Sequence, residues 1–313
     1  MNQYEASVVI CCSNYSQKAE RLKYLEECMV GLSVQTNLHF EVILVSHKNI
    51  DLVDSVRKKF AMTFPVSCVQ TFTENLPIKR NMGIQSAKSN IVLFLDDDAI
   101  PNPNWVDTAI TAFSSFNSIV IGGSFISYEN AYLSRYLAIY YSWGRRDKPK
   151  NVQTVIGANM GIKKSECISI MGENTAIFNK IYSLAGDDSD FSLTINEAGG
   201  KIYFVPKMKV VHHYRTSIKN FLIRQVEYAR GDLLVQINHP KSMYIENGYF
   251  IHLKQKMRIS SVLKMLRFVF LRSINISKEI GDYWFVAALL KELSYVYGLI
   301  VAFRELGVED NHC

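Results

Sequence analysis

The chain has 313 residues, 48% of them apolar and 20% charged, a composition that suits a globular protein and excludes a disordered or low-complexity chain. Its formal net charge is +6, but residues 1–200 carry net −2 and residues 201–305 carry net +10. The basic part predicts an anionic partner such as a phosphate, a nucleic acid or a membrane surface.

Short apolar runs alternate with helical patterns over the first 95 residues. We predict strands at residues 6–12, 40–45, 66–72 and 91–95, and helices at residues 18–35, 51–60 and 79–87. This alternation predicts right-handed βαβ units, and hence an α/β fold with a Rossmann-like, mostly parallel sheet flanked by helices. Ligands of such sheets bind beyond the carboxyl ends of the strands, so the residues that follow each strand are the candidates for a site.

The pattern changes after about residue 105. Strands are predicted at residues 119–127, 152–162, 202–205 and 210–213, and the pattern from residue 217 to residue 304 is almost entirely helical. We therefore predict a catalytic domain at residues 1–231 and a C-terminal helical region at residues 232–313. The apolar run at residues 293–303 is shorter than the roughly 20 residues that a membrane span needs, so we expect no span.

The N-terminus and the cysteines predict the compartment. The first five residues, M-N-Q-Y-E, lack the basic and apolar segments of a signal peptide. None of the six cysteines forms a C-x-x-C pair, which predicts reduced thiols rather than a zinc site or a disulfide framework. We therefore expect a cytoplasmic protein.

Three adjacent carboxylates, Asp96, Asp97 and Asp98, follow the most apolar predicted strand. Adjacent acids repel one another, and a bound cation relieves that repulsion. Asp96 and Asp98 are separated by one residue and can point the same way, and oxygen ligands of this kind suit Mg²⁺ or Mn²⁺. The alternative is a solvated acidic turn before Pro101.

The segment L-D-D-D-A-I-P at residues 95–101 resembles the D-x-D segment of the family-2 glycosyltransferases, which have the GT-A fold. Further resemblances follow in the family's order over about residues 6–231. They lie at residues 8–14, 25–35, 79–83, 186–191, 198–200 and 210–213. Each motif alone is weak, but their order and spacing together are specific.

The resemblance implies a divalent-metal enzyme that moves a sugar from a nucleotide-diphosphate donor to an acceptor hydroxyl, with inversion at the anomeric carbon. It implies that Asp96 and Asp98 bind the Mg²⁺ or Mn²⁺ ion and the donor diphosphate, and that Asp188 is the general base. A carboxylate in contact with a neutral hydroxyl can accept its proton, while a metal stabilises the leaving diphosphate. Asp187 is the alternative base, and capping of the following helix is the alternative role.

Further donor contacts are expected after the predicted strands. Asn14 matches the Asn of the family's opening segment, and Asp97 belongs to the acidic segment itself. Asp51 is the one acid that remains of the family's D-D-G-S-x-D pattern, which leaves the donor base open. Arg80 suits phosphate through its fork geometry, and the alternative is a surface salt bridge.

Three residues near the end of the predicted catalytic domain complete the expected site. His212 follows a predicted strand, and a neutral imidazole there can bind the metal or the diphosphate, although a structural role is the alternative. Arg215 and Arg230 are expected to border the site and to contact the donor. A charged helix face is the alternative for Arg230.

The C-terminal helices combine apolar faces with basic residues. Such helices can lie on an anionic membrane surface, here at the inner face of the cytoplasmic membrane. The alternatives are packing on the catalytic domain or on a second copy in a homodimer. The expected acceptor is a glycan or a lipid-linked acceptor in the synthesis of a cell-surface polysaccharide.

Other functions compete with this one. A non-catalytic relative that binds a nucleotide sugar or a partner protein is allowed by the lost acids near Asp51, but the intact Asp96, Asp98 and Asp188 argue against it. No nucleic-acid partner is expected, because the basic residues are interleaved with core-like apolar ones and form no recognisable motif. A phosphohydrolase is disfavoured because no D-x-D-x-[TV] pattern occurs.

Overall fold

The computed structural model describes residues 3–15, 20–48, 50–142, 147–172, 176–183, 185–214, 216–241 and 259–305. Contacts divide the chain into two compact units. The first unit comprises residues 1–128, 146–183 and 187–213, and the second comprises residues 129–145, 184–186 and 214–313. The boundary predicted after residue 231 falls within a continuous helix, Ile218–Asn238, whereas the contacts divide the chain before that helix.

The first half of the first unit consists of strands that alternate with helices, as predicted. Its elements are β1 (Ala6–Cys11), α1 (Glu20–Ser33), β2 (Phe40–Ser46), α2 (Ile50–Phe60), β3 (Val66–Gln70), α3 (Leu76–Ser86) and β4 (Ile91–Asp96). β1 pairs in parallel with β2 and β4, and β2 pairs in parallel with β3. The register sets Cys11 beside Asp96, so the carboxyl ends of β1 and β4 meet.

Apolar burial and local capping explain these elements. β1, β2 and β4 are buried over nearly their whole length, as expected for strands covered on both faces. α3 begins where the Asn75 side chain accepts a hydrogen bond from the Ile78 N–H group, with Pro77 in the first turn. A Cβ at Gly83 would lie 2.3 Å from Val9, so α3 approaches β1 this closely only with glycine.

The second half of the first unit adds strands of mixed direction. The elements that follow β4 along the chain are β5 (Ala99–Pro101), α4 (Trp105–Phe116), β6 (Val120–Ser127), α5 (Tyr132–Tyr141, in the second unit), β7 (Lys150–Asn151), β8 (Asn159–Lys163), α6 (Lys164–Met171), α7 (Asp187–Glu197) and β9 (Ile202–His212). The strand order is β3-β2-β1-β4-β8-β6-β9-β5, with β7 on β9. The α/β fold class is confirmed, and the described sheet is mixed because β8 runs antiparallel to β4 and β6.

Two predicted strand assignments in this half differ from the structure. Residues 152–158 form a loop, and only the last part of the predicted strand belongs to β8. The strands predicted at residues 202–205 and 210–213 are one strand, β9, whose register against β6 shifts between Gly123 and Ser124. Asn159 bonds the backbone at this irregularity, because its Nδ2 donates to the Ser124 and Met208 carbonyls at 3.1 and 3.0 Å.

The second unit is helical in its described residues. Besides α5 it contains α8 (Ile218–Asn238), α9 (Ile259–Ile280), a 3₁₀ turn (Asp282–Trp284) and α10 (Phe285–Glu305). Its core consists of buried side chains from these elements: Leu133, Tyr136, Leu137, Phe221, Ile280, Trp284, Ala287 and Ala288. The helical pattern predicted from residue 217 onward is therefore present where the structure describes the chain.

α10 is the one described helix that is long and apolar enough, by length and composition, to cross a membrane. The expectation of no span rested on a shorter run, because Lys291 and Glu292 precede the apolar residues from Leu293. α10 extends beyond that run and includes both charged side chains, which are buried, and Glu292 accepts hydrogen bonds from Lys291 and Arg272. Half of the most apolar stretch of α10 is buried inside the protein, and a core helix has the same length and composition.

Candidate active site

The acidic segment lies where the carboxyl ends of β1 and β4 meet. β4 ends at Asp96, and Asp97 and Asp98 form the turn before β5. Asp97 is 2% exposed, and its Oδ2 accepts hydrogen bonds from the Ser13 N–H group and the Tyr15 hydroxyl, both at 2.8 Å. Asp97 therefore holds the chain that follows β1, and its contact with a donor stays a prediction.

Asp96, Asp98 and His212 lie together. One ligand atom from each lies within 4.8 Å of the other two. His212 Nε2 is 3.4 Å from Asp98 Oδ1 and 4.0 Å from Asp96 Oδ2. Backbone pairing brings the histidine there, because Ala99 of β5 pairs with His212 of β9 and the His213 N–H group donates to the Asp98 carbonyl.

This cluster fits a hard divalent cation. Two carboxylates and one imidazole offer the oxygen and nitrogen ligands that Mg²⁺ and Mn²⁺ accept. Asp98 Oδ1 is buried and accepts no hydrogen bond from the described residues, and a buried oxygen in that state gains from a cation. Burial raises the pKa of Asp98 despite His212 and Arg21, and the neighbouring carboxylates of Asp97 and Asp96 add to that rise.

The imidazole responds to the same charges. Burial alone would lower the pKa of His212, but the carboxylates of Asp98 and Asp96 raise it above its ordinary value. The pKa of Asp96 is lowered, because the nearby His212 imidazole and the charge of Arg80 outweigh the opposing effect of burial. The cluster therefore attracts positive charge, which a proton on His212 or a cation supplies.

Arg21 is a site residue that the sequence analysis missed. Its guanidinium donates to Asp97, and Nη2 lies 2.9 Å from Asp98 Oδ2. The same helix, α1, carries Glu27, which pairs with His213 Nε2 at 2.8 Å. The helical spacing of the polar residues of α1 was the one sequence signal that could have pointed to Arg21. A polar helix face is more often exposed to solvent than part of a site.

A second group of carboxylates lies in the first turn of α7. Asp187 is 4% exposed and forms an ion pair with Arg80, which is also 4% exposed. Asp188 is partly exposed, and its two oxygens accept hydrogen bonds from the N–H groups of Gly157, at 2.8 Å, and Ser189, at 2.9 Å. The α7 N-terminus favours these negative charges electrostatically.

The contacts distinguish the two candidate bases. Burial raises the pKa of Asp187 to about 6, although the Arg80 guanidinium opposes that rise. Asp187 is therefore enclosed by its ion pair, whereas Asp188 retains exposed surface. Gly157, which the sequence analysis did not single out, leaves room for the Arg80 guanidinium, because a Cβ there would lie 2.2 Å from it.

Arg80 connects the two groups of carboxylates. Its charge favours the ionised form of Asp96, and the Asp187 and Asp188 carboxylates in turn raise the pKa of Arg80, against the effect of its burial. Cys11, at the carboxyl end of β1, lies in the field of the same groups, and burial raises its pKa to about 12. The ion pair between Arg80 and Asp187 is thus buried rather than exposed at the surface.

The remaining predicted donor residues are dispersed. Asn14 follows β1 and is partly exposed, and Asp51 lies exposed in the first turn of α2, after β2. Arg215 lies outside the described residues. Arg230 belongs to α8 of the second unit, where it forms an ion pair with Glu305 of α10. Donor contact by these residues stays a prediction.

The fold is that of a GT-A glycosyltransferase. The crystal structure of S. aureus TarS 1–349 aligns over 99% of this chain and 93% of that chain, with a TM-score of 0.51 and 13% identity. The complex of the same protein with UDP-GlcNAc aligns equally well, at 11% identity. At this level of identity the likeness establishes the fold.

The sequence places the chain in a family. Residues 7–169, just over half of the chain, match the family described as Glycosyl transferase family 2, and residues 91–302 match Glycosyl transferase family group 2. The chain belongs to glycosyl transferase family 2, and the resemblance seen in its motifs is confirmed.

Two curated relatives are glycosyltransferases as well. The glucosyl-dolichyl phosphate glucuronosyltransferase of Haloferax volcanii is 23% identical over 312 residues, which cover 95% of this chain and 96% of that protein. The pre-mycofactocin glycosyltransferase of Mycobacterium tuberculosis is 24% identical over 170 residues, which cover 51% of this chain and 35% of that protein. Their names agree with the family.

We expect Arg80 and Asp187 to be strongly coupled in stability, because removing one partner leaves the other charge buried. Arg80→Gln should lower the free energy of unfolding by about 3–5 kcal/mol. The double variant with Asp187→Asn should cost much less than the sum of the single variants, as measured by urea denaturation.

The surface pair Lys59–Glu26 is the matched control for this cycle, since its side chains are 58% and 38% exposed. Its coupling should stay under about 1 kcal/mol. A coupling between Arg80 and Asp187 no larger than that of the control would contradict the buried ion pair.

Proposed function

We propose that the protein is a metal-dependent, inverting glycosyltransferase that moves a sugar from a nucleotide-diphosphate donor to a hydroxyl of a glycan or lipid-linked acceptor. One observation supports this most. One buried arginine, Arg80, forms an ion pair with Asp187 beside Asp188, and its charge also acts on Asp96 of the cluster with Asp98. A transfer of this kind needs one group as cation ligands and the other as a base.

Asp96, Asp98 and His212 would hold the cation through their carboxylate oxygens and an imidazole nitrogen. When bound, a divalent cation supplies the positive charge that stabilises a leaving diphosphate. Arg80 adds a guanidinium whose fork suits phosphate oxygens. Asp97 contributes by holding the segment after β1 in place through Ser13 and Tyr15.

Asp188 is the proposed general base. A base must be ionised and within reach of the acceptor hydroxyl, and the enclosed Asp187 meets these conditions less well because it is paired with Arg80 and its pKa is raised by burial. As the acceptor oxygen bonds to the anomeric carbon, its proton passes to the Asp188 carboxylate. The bond to the diphosphate oxygen breaks and that oxygen takes the electron pair, so a single displacement inverts the centre.

A panel of nucleotide sugars tests this proposal. The UDP and UDP-GlcNAc complexes of TarS support a nucleotide-sugar donor. Because the family's acids near Asp51 are missing, the identity of the nucleotide base in the donor stays open. We expect one nucleotide to raise the melting temperature with Mn²⁺ or Mg²⁺ but not with EDTA, and its sugar conjugate to release nucleoside diphosphate. If no nucleotide binds with either cation, the proposal fails.

Asp188→Asn should stop transfer while leaving donor binding intact, because the amide keeps the shape of the side chain but cannot accept the proton. We expect kcat to fall by about 10²–10⁴-fold, with little change in the donor Kd from calorimetry. Glu197→Gln, at the exposed opposite end of α7, is the control and should keep full activity. An unchanged kcat in Asp188→Asn would remove Asp188 as the base.

We also infer that the acceptor is lipid-linked, in the synthesis of a cell-surface glycan, and that the protein contacts the cytoplasmic face of the membrane peripherally. The name of the H. volcanii relative specifies a dolichyl-phosphate substrate, and that relative matches nearly the whole chain. α9 exposes Leu266, Phe270 and Leu271 by 47%, 50% and 48%, beside the exposed Arg267. Exposed apolar and basic side chains on one helix favour an anionic lipid surface.

Flotation with anionic vesicles tests the lipid contact. The wild type should float at low salt, and Phe270→Ser combined with Leu271→Ser should reduce the floated fraction, because it removes apolar side chains without changing the charge. Phe72→Ser, at a 93% exposed position of the first unit, is the matched control and should float like the wild type. Absence of wild-type flotation, or a dimer by light scattering that the double variant abolishes, would contradict the lipid contact.

A further inference from the structure

An arginine of α1 contacts the acidic turn and partly neutralises its charge. Arg21 contacts Asp97 Oδ1 and Asp98 Oδ2, and the side chains of these two acids are 3% and 11% exposed. Adjacent buried carboxylates repel each other, and an unpaired buried charge is strongly destabilising. One guanidinium therefore compensates two acids, one of which also belongs to the cluster with Asp96 and His212.

We propose that Arg21 lowers the affinity of this cluster for a free divalent cation, so that the cation binds tightly only together with the donor diphosphate. Asp98 faces Arg21 with Oδ2 and His212 with Oδ1. A cation at Asp96, Asp98 and His212 would thus be separated from the guanidinium by a single carboxylate, and like charges repel strongly in a partly buried site. A diphosphate offsets this repulsion with its negative charge, which makes the two ligands bind cooperatively.

The inference rests on the proposed cation site and concerns its regulation. A purely structural role for Arg21 predicts something different. If Arg21 only supported the fold, then Arg21→Gln would loosen the acidic turn and weaken cation binding. If Arg21 acts through its charge, then Arg21→Gln strengthens cation binding, and Arg21→Lys, which keeps the charge but loses the fork, resembles the wild type.

The affinity for Mn²⁺ measures this directly. Free Mn²⁺ is followed by electron paramagnetic resonance in titrations of the full chain, with and without inorganic pyrophosphate, and chelation by pyrophosphate is subtracted from a titration without protein. We expect pyrophosphate to tighten Mn²⁺ binding to the wild type about tenfold or more. Arg21→Gln should bind Mn²⁺ alone about tenfold more tightly than the wild type and lose most of this cooperativity.

The control is Lys58→Gln on α2, whose side chain is 70% exposed and pairs with Asp54 at the surface, and it should bind Mn²⁺ like the wild type. Equal or weaker Mn²⁺ binding by folded Arg21→Gln would overturn the proposal. If that variant does not fold, the wild type and Arg21→Lys decide, since the lack of cooperativity in both overturns it.

The two proposals fail in different ways. If nucleotide sugars are never consumed but Mn²⁺ and pyrophosphate follow the expected pattern, the role of Arg21 stands and the transferase proposal falls. If Mn²⁺ binds neither the wild type nor Arg21→Gln under any condition, the role of Arg21 falls, and the nucleotide-sugar panel decides the transferase proposal separately.

Discussion

Charge compensation at the carboxyl edge of the sheet is the constraint on which the rest of the site depends. Buried carboxylates persist only when paired with cations or hydrogen-bond donors. Arg21 compensates Asp97 and Asp98, and Arg80 compensates Asp187. With these acids held in place, the Asp96 cluster and Asp188 are the groups to which we assign the proposed cation, diphosphate and acceptor hydroxyl. The site therefore consists of several carboxylates and two arginines, Arg21 and Arg80, that compensate part of their negative charge.

Backbone pairing far along the chain completes this distribution. His212 reaches the acidic turn because the end of β9 pairs with β5. β9 pairs with β6, and the register of this pairing shifts at one point. The buried Asn159 donates hydrogen bonds to the carbonyls of Ser124 and Met208 at that shift. Asn159 also accepts a hydrogen bond from Trp105 at 2.8 Å. A buried polar residue of β8 thus contributes to the position of a histidine on another strand.

The predictable parts of the molecule are those that local pattern and chain order determine. Apolar runs that end in polar residues located β1, β2 and β4 and the acidic turn after them. Arg21 was missed because a cation on a helix face is usually solvated, and its partners lie more than 70 residues away. β9 was divided because Pro206 and Lys207 interrupt its apolar pattern. Within α10, Lys291 and Glu292 have the composition of a surface segment, although they are buried as a pair.

The location of the cation relative to a bound diphosphate tests the proposed site most directly. Crystals grown with Mn²⁺ and the nucleoside diphosphate that binds most tightly would reveal the ion by anomalous scattering. The proposed site predicts one Mn²⁺ ion bonded to Asp96, Asp98 and His212 and to diphosphate oxygens, with Arg80 beside the diphosphate. A diphosphate bound away from this edge of the sheet, or an ion bound elsewhere, would contradict it.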